Sequence, residues 1–159
     1  MLKQFGANIR QESNVVITAF DLDGKVIDRV EFHNKVPTVA LAMMRDALKG
    51  AITDCQIKRL AIGDGNTAPA DGDVALENEI LRKQITSSSE PSGTSYKTIV
   101  YVNPDEAVGA IEEIGWFAGA SAGDDADSGI LVSRVLYSRT KTAVESLQIE
   151  RTDTFTEVV

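Results

Sequence analysis

The residues best suited to chemistry are Asp21 and Asp23, in the stretch Phe20-Asp21-Leu22-Asp23-Gly24 that follows the apolar residues Val15, Val16, Ile17 and Ala19. Two carboxylates one residue apart at the end of a strand can divide the work of phosphoryl transfer. One attacks phosphorus and the other carries the proton. Such a pair also needs a magnesium ion, and Asp124 and Asp125 are candidate ligands for it. The pair further needs a parallel strand under it and a phosphate-binding loop and helix behind it.

The motif is the one with which haloacid-dehalogenase-type phosphatases begin, but the supporting elements are missing from the pattern. Lys25 follows Gly24 where that family carries Thr, and the next residues alternate like a second strand: Val26, Asp28, Val30 and Phe32 against Ile27, Arg29 and Glu31. The chain then passes from strand to strand, without the crossover helices that a parallel sheet requires. Asp21 and Asp23 therefore read as the flanks of a hairpin. Asp23-Gly24 is expected to supply the positive φ of a tight primed turn.

The other reactive residues read as structural. Asp124, Asp125, Asp127 and Ser128 carry oxygens of the kind that hold calcium, but they sit in a small, polar, glycine-flanked run that reads as a solvated connection. Asp64, Asn66, Asp71 and Asp73 lack EF-hand spacing. The glycines of Gly63-Asp64-Gly65-Asn66 open no phosphate-cradling helix and lack the Lys-Ser/Thr pair of a P-loop. His33 is the single histidine, and a polar residue ending a hairpin strand is its expected role. Cys55 is the single cysteine, which rules out an intrachain disulfide and a closed cysteine zinc site; a packed position is expected for it. No catalytic residue, metal site or cofactor is expected, and the chain reads as a non-enzyme.

Composition narrows the partners. A formal charge of −8 over 159 residues argues against a general nucleic-acid affinity, which needs clustered Lys and Arg. The longest apolar run, residues 39–44, is too short to cross a bilayer, so no membrane partner is expected.

Hydrophobic periodicity sets the architecture. Residues 1–14 show no clean period and read as an N-terminal arm, with residues 15–159 forming one β-rich domain. Strands are predicted at about 15–22, 25–32, 56–62, 81–86, 96–102, 110–117, 130–138 and 144–154. Pro37-Thr38 opens the main helix, about 38–48, with Val39, Ala42, Met43 and Leu48 as its apolar stripe. Residues 73–80 form a short helix or a docked turn. The fold class is mainly β: an antiparallel, jelly-roll-like β-sandwich with one main helix.

Three segments carry a resemblance. In residues 57–87, a strand leads into Ala61-Ile62-Gly63-Asp64-Gly65, then a Pro, then Val74-Ala75-Leu76-Glu77-Asn78-Glu79 and an Arg. Residues 109–138 carry Ile111-Glu112-Glu113-Ile114-Gly115-Trp116-Phe117, an acidic loop, and Gly129-Ile130-Leu131 followed by Arg134. Before both stands His33-Asn34-Lys35-Val36 and the helix. In order and spacing these resemble tailed-bacteriophage virion structural proteins, namely the baseplate-proximal domain of tail fibres and related short stand-alone chains. Trp116 stands where Leu is usual.

The resemblance implies a non-enzymatic virion component, assembled in the host cytoplasm. Its expected partners are itself, as a homotrimer or other homo-oligomer, and other virion proteins. A short tail, baseplate or fibre-attachment role is expected because no fibre shaft follows. Capsid decoration is the alternative, and a glycan-binding module using Trp116 and the loops at residues 63–73 and 120–129 ranks below it. The interface residues expected are Leu2, Phe5 and Ile9, as apolar anchors of the arm, with Trp116 and Phe117.

Overall fold

The computed structural model describes residues 8–158 and is an antiparallel β-sandwich carrying one helix among those residues. Four successive hairpins build it. β1 (Asn8–Asp21) with β2 (Val26–His33), and β5 (Ser87–Ser92) with β6 (Ser95–Val102), belong to one sheet. β3 (Ile57–Gly63) with β4 (Glu79–Gln84), and β7 (Gly109–Ala118) with β8 (Ile130–Lys141), make the other. The final strand, β9 (Glu145–Val158), enters the first sheet between β1 and β6, giving the order β2-β1-β9-β6-β5; the second sheet runs β4-β3-β7-β8.

Period-two alternation fills the space between the sheets. Val15, Ile17 and Ala19 of β1, Val100 and Val102 of β6, and Leu147 and Ile149 of β9 face Leu60, Ile62, Ile111, Ile114, Trp116 and Val132. A register shift between Ile111 and Glu113 lets Ile111 point inward while Glu113 points to the outer face. There a second, smaller cluster of Ala61, Leu76, Phe117, Ala122 and Leu131 is roofed by the β3–β4 and β7–β8 connections.

The helix α1 (Thr38–Leu48) has the expected bounds, starts after Pro37 and packs against β8. Its buried residues are Ala40 and Met43; of the expected stripe Met43 is buried, Val39 and Ala42 are half-buried, and Leu48 is 91% exposed. Leu41 and Leu48 are both exposed, on the side of the helix away from the core.

Three expectations are corrected. Residues 8–14 are strand, not arm: they extend β1 and pair with β9 from Asn8↔Val158 to Asn14↔Thr152. Residues 87–92, too polar to read as a strand, form the fully exposed edge strand β5. The β1–β2 turn is three residues long rather than two: Gly24 N donates to Asp21 O (3.0 Å), Asp21 N donates to Lys25 O (2.9 Å), and Gly24 alone takes a positive φ, +79°. That is a type I turn closed by a left-handed glycine. Of the two readings open for residues 73–80, the docked, non-helical one holds for 73–78, and Glu79 and Ile80 begin β4.

Candidate interaction surface

Asp21 and several of the other carboxylates that looked suited to chemistry are engaged in holding the fold. Asp21 Oδ1 accepts from the amides of Asp23 (3.0 Å) and Lys25 (2.8 Å), so its carboxylate shapes the turn. Asp124 pairs with Arg59 at 3.0 Å, and Asp127 N donates to Glu79 Oε2 at 3.1 Å. Asp64 accepts from Asn78, Asp71 pairs with Lys35, and Asp73 with Arg134. No group of three or more metal-ligating side chains gathers among the described residues. His33 is exposed at the end of β2. Cys55, expected to be packed, is exposed.

Two buried ionic centres stand out. The first lies on the outer face of the second sheet. Glu113, fully buried, accepts from the amides of Glu77 (3.1 Å) and Asn78 (2.9 Å) and from Arg134 Nε (2.7 Å). Arg134 extends the chain of bonds to Asp73 Oδ2 (2.8 Å) and the carbonyl of Thr67 (2.9 Å). Burial alone would raise the Asp73 carboxyl, but the amide of Ala70 and the Arg134 guanidinium outweigh it and hold it below its ordinary value. Gly63 and Gly65 are glycines because a Cβ at either would lie 2.5 or 2.6 Å from Glu113 Oε1. Beside this centre, Arg82 stacks on Phe117 at 4.2 Å while bonded to Glu79 (2.7 and 2.8 Å) and to the carbonyl of Ser128 (2.9 Å). The result is a clamp that pins two long connections to the sheet.

The second centre is open. Because β1 and β9 run past the end of the second sheet, the inward-facing positions Ile9, Gln11, Asp153 and Phe155 continue the core face beyond it, with Arg151 at its edge over Trp116. α1 and residues 55–57 form the other wall, leaving an apolar groove of about 880 Å³. Its floor is Arg151, 2% exposed, which donates to Asp153 Oδ1 through Nε (3.2 Å) and Nη2 (2.8 Å). Gln11 and Ser13 also donate to that oxygen. Arg151 Nη1 and the neighbouring Trp116 Nε1 have no acceptor, with the Arg151 guanidinium 5.6 Å over the Trp116 ring. Exposed Ile9, Leu41, Leu48 and Phe155 rim the groove.

These positions settle where the expected interface residues lie. Ile9 is 81% exposed on the groove rim. Trp116 and Phe117 are fully buried on opposite faces of β7, the first in the main core and the second under the clamp, so neither side chain meets a surface. Leu2 and Phe5 lie outside the described residues. The sequence reading missed Arg151 and Asp153 as a floor, although the alternation of β9 already put Arg151 on the face of Leu147 and Ile149.

Among the described residues no helix is long and apolar enough to cross a membrane. Comparison of the chain with protein-family models, with curated proteins and with solved structures gave no match.

Proposed function

We propose that this chain is a non-enzymatic structural component of a tailed-phage particle, self-associating and attached at the tail or baseplate. One observation carries the reading. The motif residues behind the resemblance do not scatter over the fold. Gly63, Gly65, Glu79, Arg82, Glu113, Phe117 and Arg134 come together in or beside the clamp on the second sheet. A pattern of weak motifs that converges on one buried polar unit supports descent from a common scaffold better than isolated matches would. The apolar groove and its exposed rim fit a protein that completes itself by contact with others. Burial of Trp116 removes the aromatic on which the glycan-binding reading depended.

The test is quantitative mass spectrometry of purified particles, with an antibody locating the chain by electron microscopy. A few to a few tens of copies at the tail are expected. Labelling over the whole head in hundreds of copies would replace the tail role with capsid decoration. Absence from washed particles would overturn the virion reading altogether.

A further inference from the structure

Most of the exposed large apolar side chains among the described residues lie near the two ends of the β1–β9 ladder, with Val74, Ile80 and Leu136 elsewhere. At the end where Asn8 meets Val158 lies the groove, concave, with Ile9, Leu41, Leu48 and Phe155 on its rim. At the other end, where Asp21 meets Glu145, the β1–β2 hairpin projects, and Leu22, Val26 and Ile27 are 66%, 50% and 50% exposed. Val144 and Val108 enter and leave the neighbouring strands there and are also more than half exposed. The two ends are separated by fourteen residues of strand.

We propose that copies of this chain associate head to tail, the β1–β2 hairpin end of one copy seating in the groove of the next. The inference rests on the self-associating role proposed above and names the contact. Three features favour it. The groove is lined by apolar side chains, and the hairpin end offers apolar side chains to fill it. The groove floor holds a buried donor, Arg151 Nη1, that folding leaves without an acceptor; buried donors are ordinarily paired. The hairpin turn offers acceptors, with the exposed Asp23 at its tip and only the amide of Asp23 engaged by Asp21. Pairing like with like fails on shape. Groove against groove leaves both floors unreached, and hairpin against hairpin leaves both grooves open. Contacts between unlike surfaces form a ring when the rotation between copies closes, and an open filament when it does not.

Two charged substitutions at exposed positions test the contact: Ile27→Asp at the hairpin and Leu48→Asp at the groove. Both positions face solvent, so both variants should keep the wild-type thermal transition. In sedimentation velocity over a concentration series, the wild type should grow in mass while each variant alone stays monomeric. An equimolar mixture of the two variants should form one-to-one dimers and nothing larger, because each retains the surface the other has lost. If the wild type assembles and either variant still assembles like it, or the mixture stays monomeric, the head-to-tail contact is overturned while the particle role stands on its own copy-number test. A wild type that stays monomeric overturns the proposal and the self-association with it. If that monomer is also stabilised by decanoate, and Leu48→Asp abolishes the effect, the groove belongs to an amphiphilic small molecule instead.

Discussion

The clamp and the groove floor are built from the same part, a buried arginine bonded to a buried carboxylate, yet they end differently. At Glu113–Arg134 the remaining bonds go to loop amides, a carbonyl and a second carboxylate from elsewhere in the chain. At Arg151–Asp153 one guanidinium nitrogen has no acceptor and the walls around it are apolar and open. A buried ion pair adds little by itself, since desolvation of both charges opposes their attraction. What differs is how many other groups depend on it. The clamp holds two connections in place; the floor ties only Gln11 and Ser13 of the adjacent strand β1.

The sharpest way to break this contrast is Arg134→Ala. It leaves fully buried Glu113 without its cation and releases Asp73 and the Thr67 carbonyl, so a loss of about 3–5 kcal/mol is expected in urea denaturation. A loss under about 1 kcal/mol would make the clamp ornamental. Replacing both partners, Glu113→Leu with Arg134→Met, should recover little, because the amides of Glu77 and Asn78 would still lack an acceptor.

Acid should dissect the clamp more gently. Asp73 is held below its ordinary value by the Ala70 amide and Arg134 against the opposing effect of burial, and Glu145 by Arg139 and the Thr142 amide against the same effect. A carboxyl with a depressed folded pKa contributes stability that is fully present above its unfolded value, about 4, and is lost as pH falls through the lower folded value. The melting temperature should therefore be flat from neutrality to about pH 5 and fall below pH 4. Asp73→Asn should make that fall shallower, and an unchanged slope would count against Asp73 as a clamp member.

Gly24→Val should lose on the order of 1 kcal/mol or more. The added Cβ meets nothing within 4 Å, so the whole effect is backbone strain at φ +79°. Wild-type stability there would mean that the turn relaxes freely. The smallest effect is expected at the groove floor. The combined change Arg151→Met, Asp153→Leu and Ser13→Ala, the last removing the buried hydroxyl that would otherwise lose its acceptor, made in the Ile27→Asp background, should alter stability by less than about 1 kcal/mol. A loss as large as that at Arg134 would erase the distinction between the two centres.

Much of this architecture was legible in the sequence, and the parts that were not share a cause. Periodicity reports burial, so strands with a buried face were readable: Val15, Ile17 and Ala19 announced β1, and Leu147 and Ile149 announced β9. Residues 8–14 are equally strand, but their inward positions, Ile9, Gln11 and Ser13, face the groove and not a core, and so carry no apolar alternation. β5 is exposed on both faces and offers Ser, Glu and Pro, residues that mark a guarded edge rather than a strand. The helix was found from its boundary residues, and Met43 of its expected stripe is buried, while Leu48 looked like core and is rim. The groove could not be seen at all, since it exists only because two strands outrun the sheet they face. The acidic residues misled in the opposite direction. Asp21 resembled a nucleophile because turns and active sites draw on the same chemistry, a carboxylate held by backbone amides.

The insertion of β9 between β1 and β6 also governs how the molecule is made. Until residues 145–158 leave the ribosome, β1 and β6 have no common neighbour, and the inner face of the first sheet lacks its middle. The four hairpins can form locally and early, but the sheet that joins them closes only at the end, across a loop of more than a hundred residues. Such a pairing is slow on topological grounds, since the entropy of closure is lost before the contacts are gained. The nascent chain should therefore spend its synthesis as loosely associated hairpins with exposed β1 and β6 edges, and a ribosome stalled anywhere before residue 145 should hold a protease-sensitive chain.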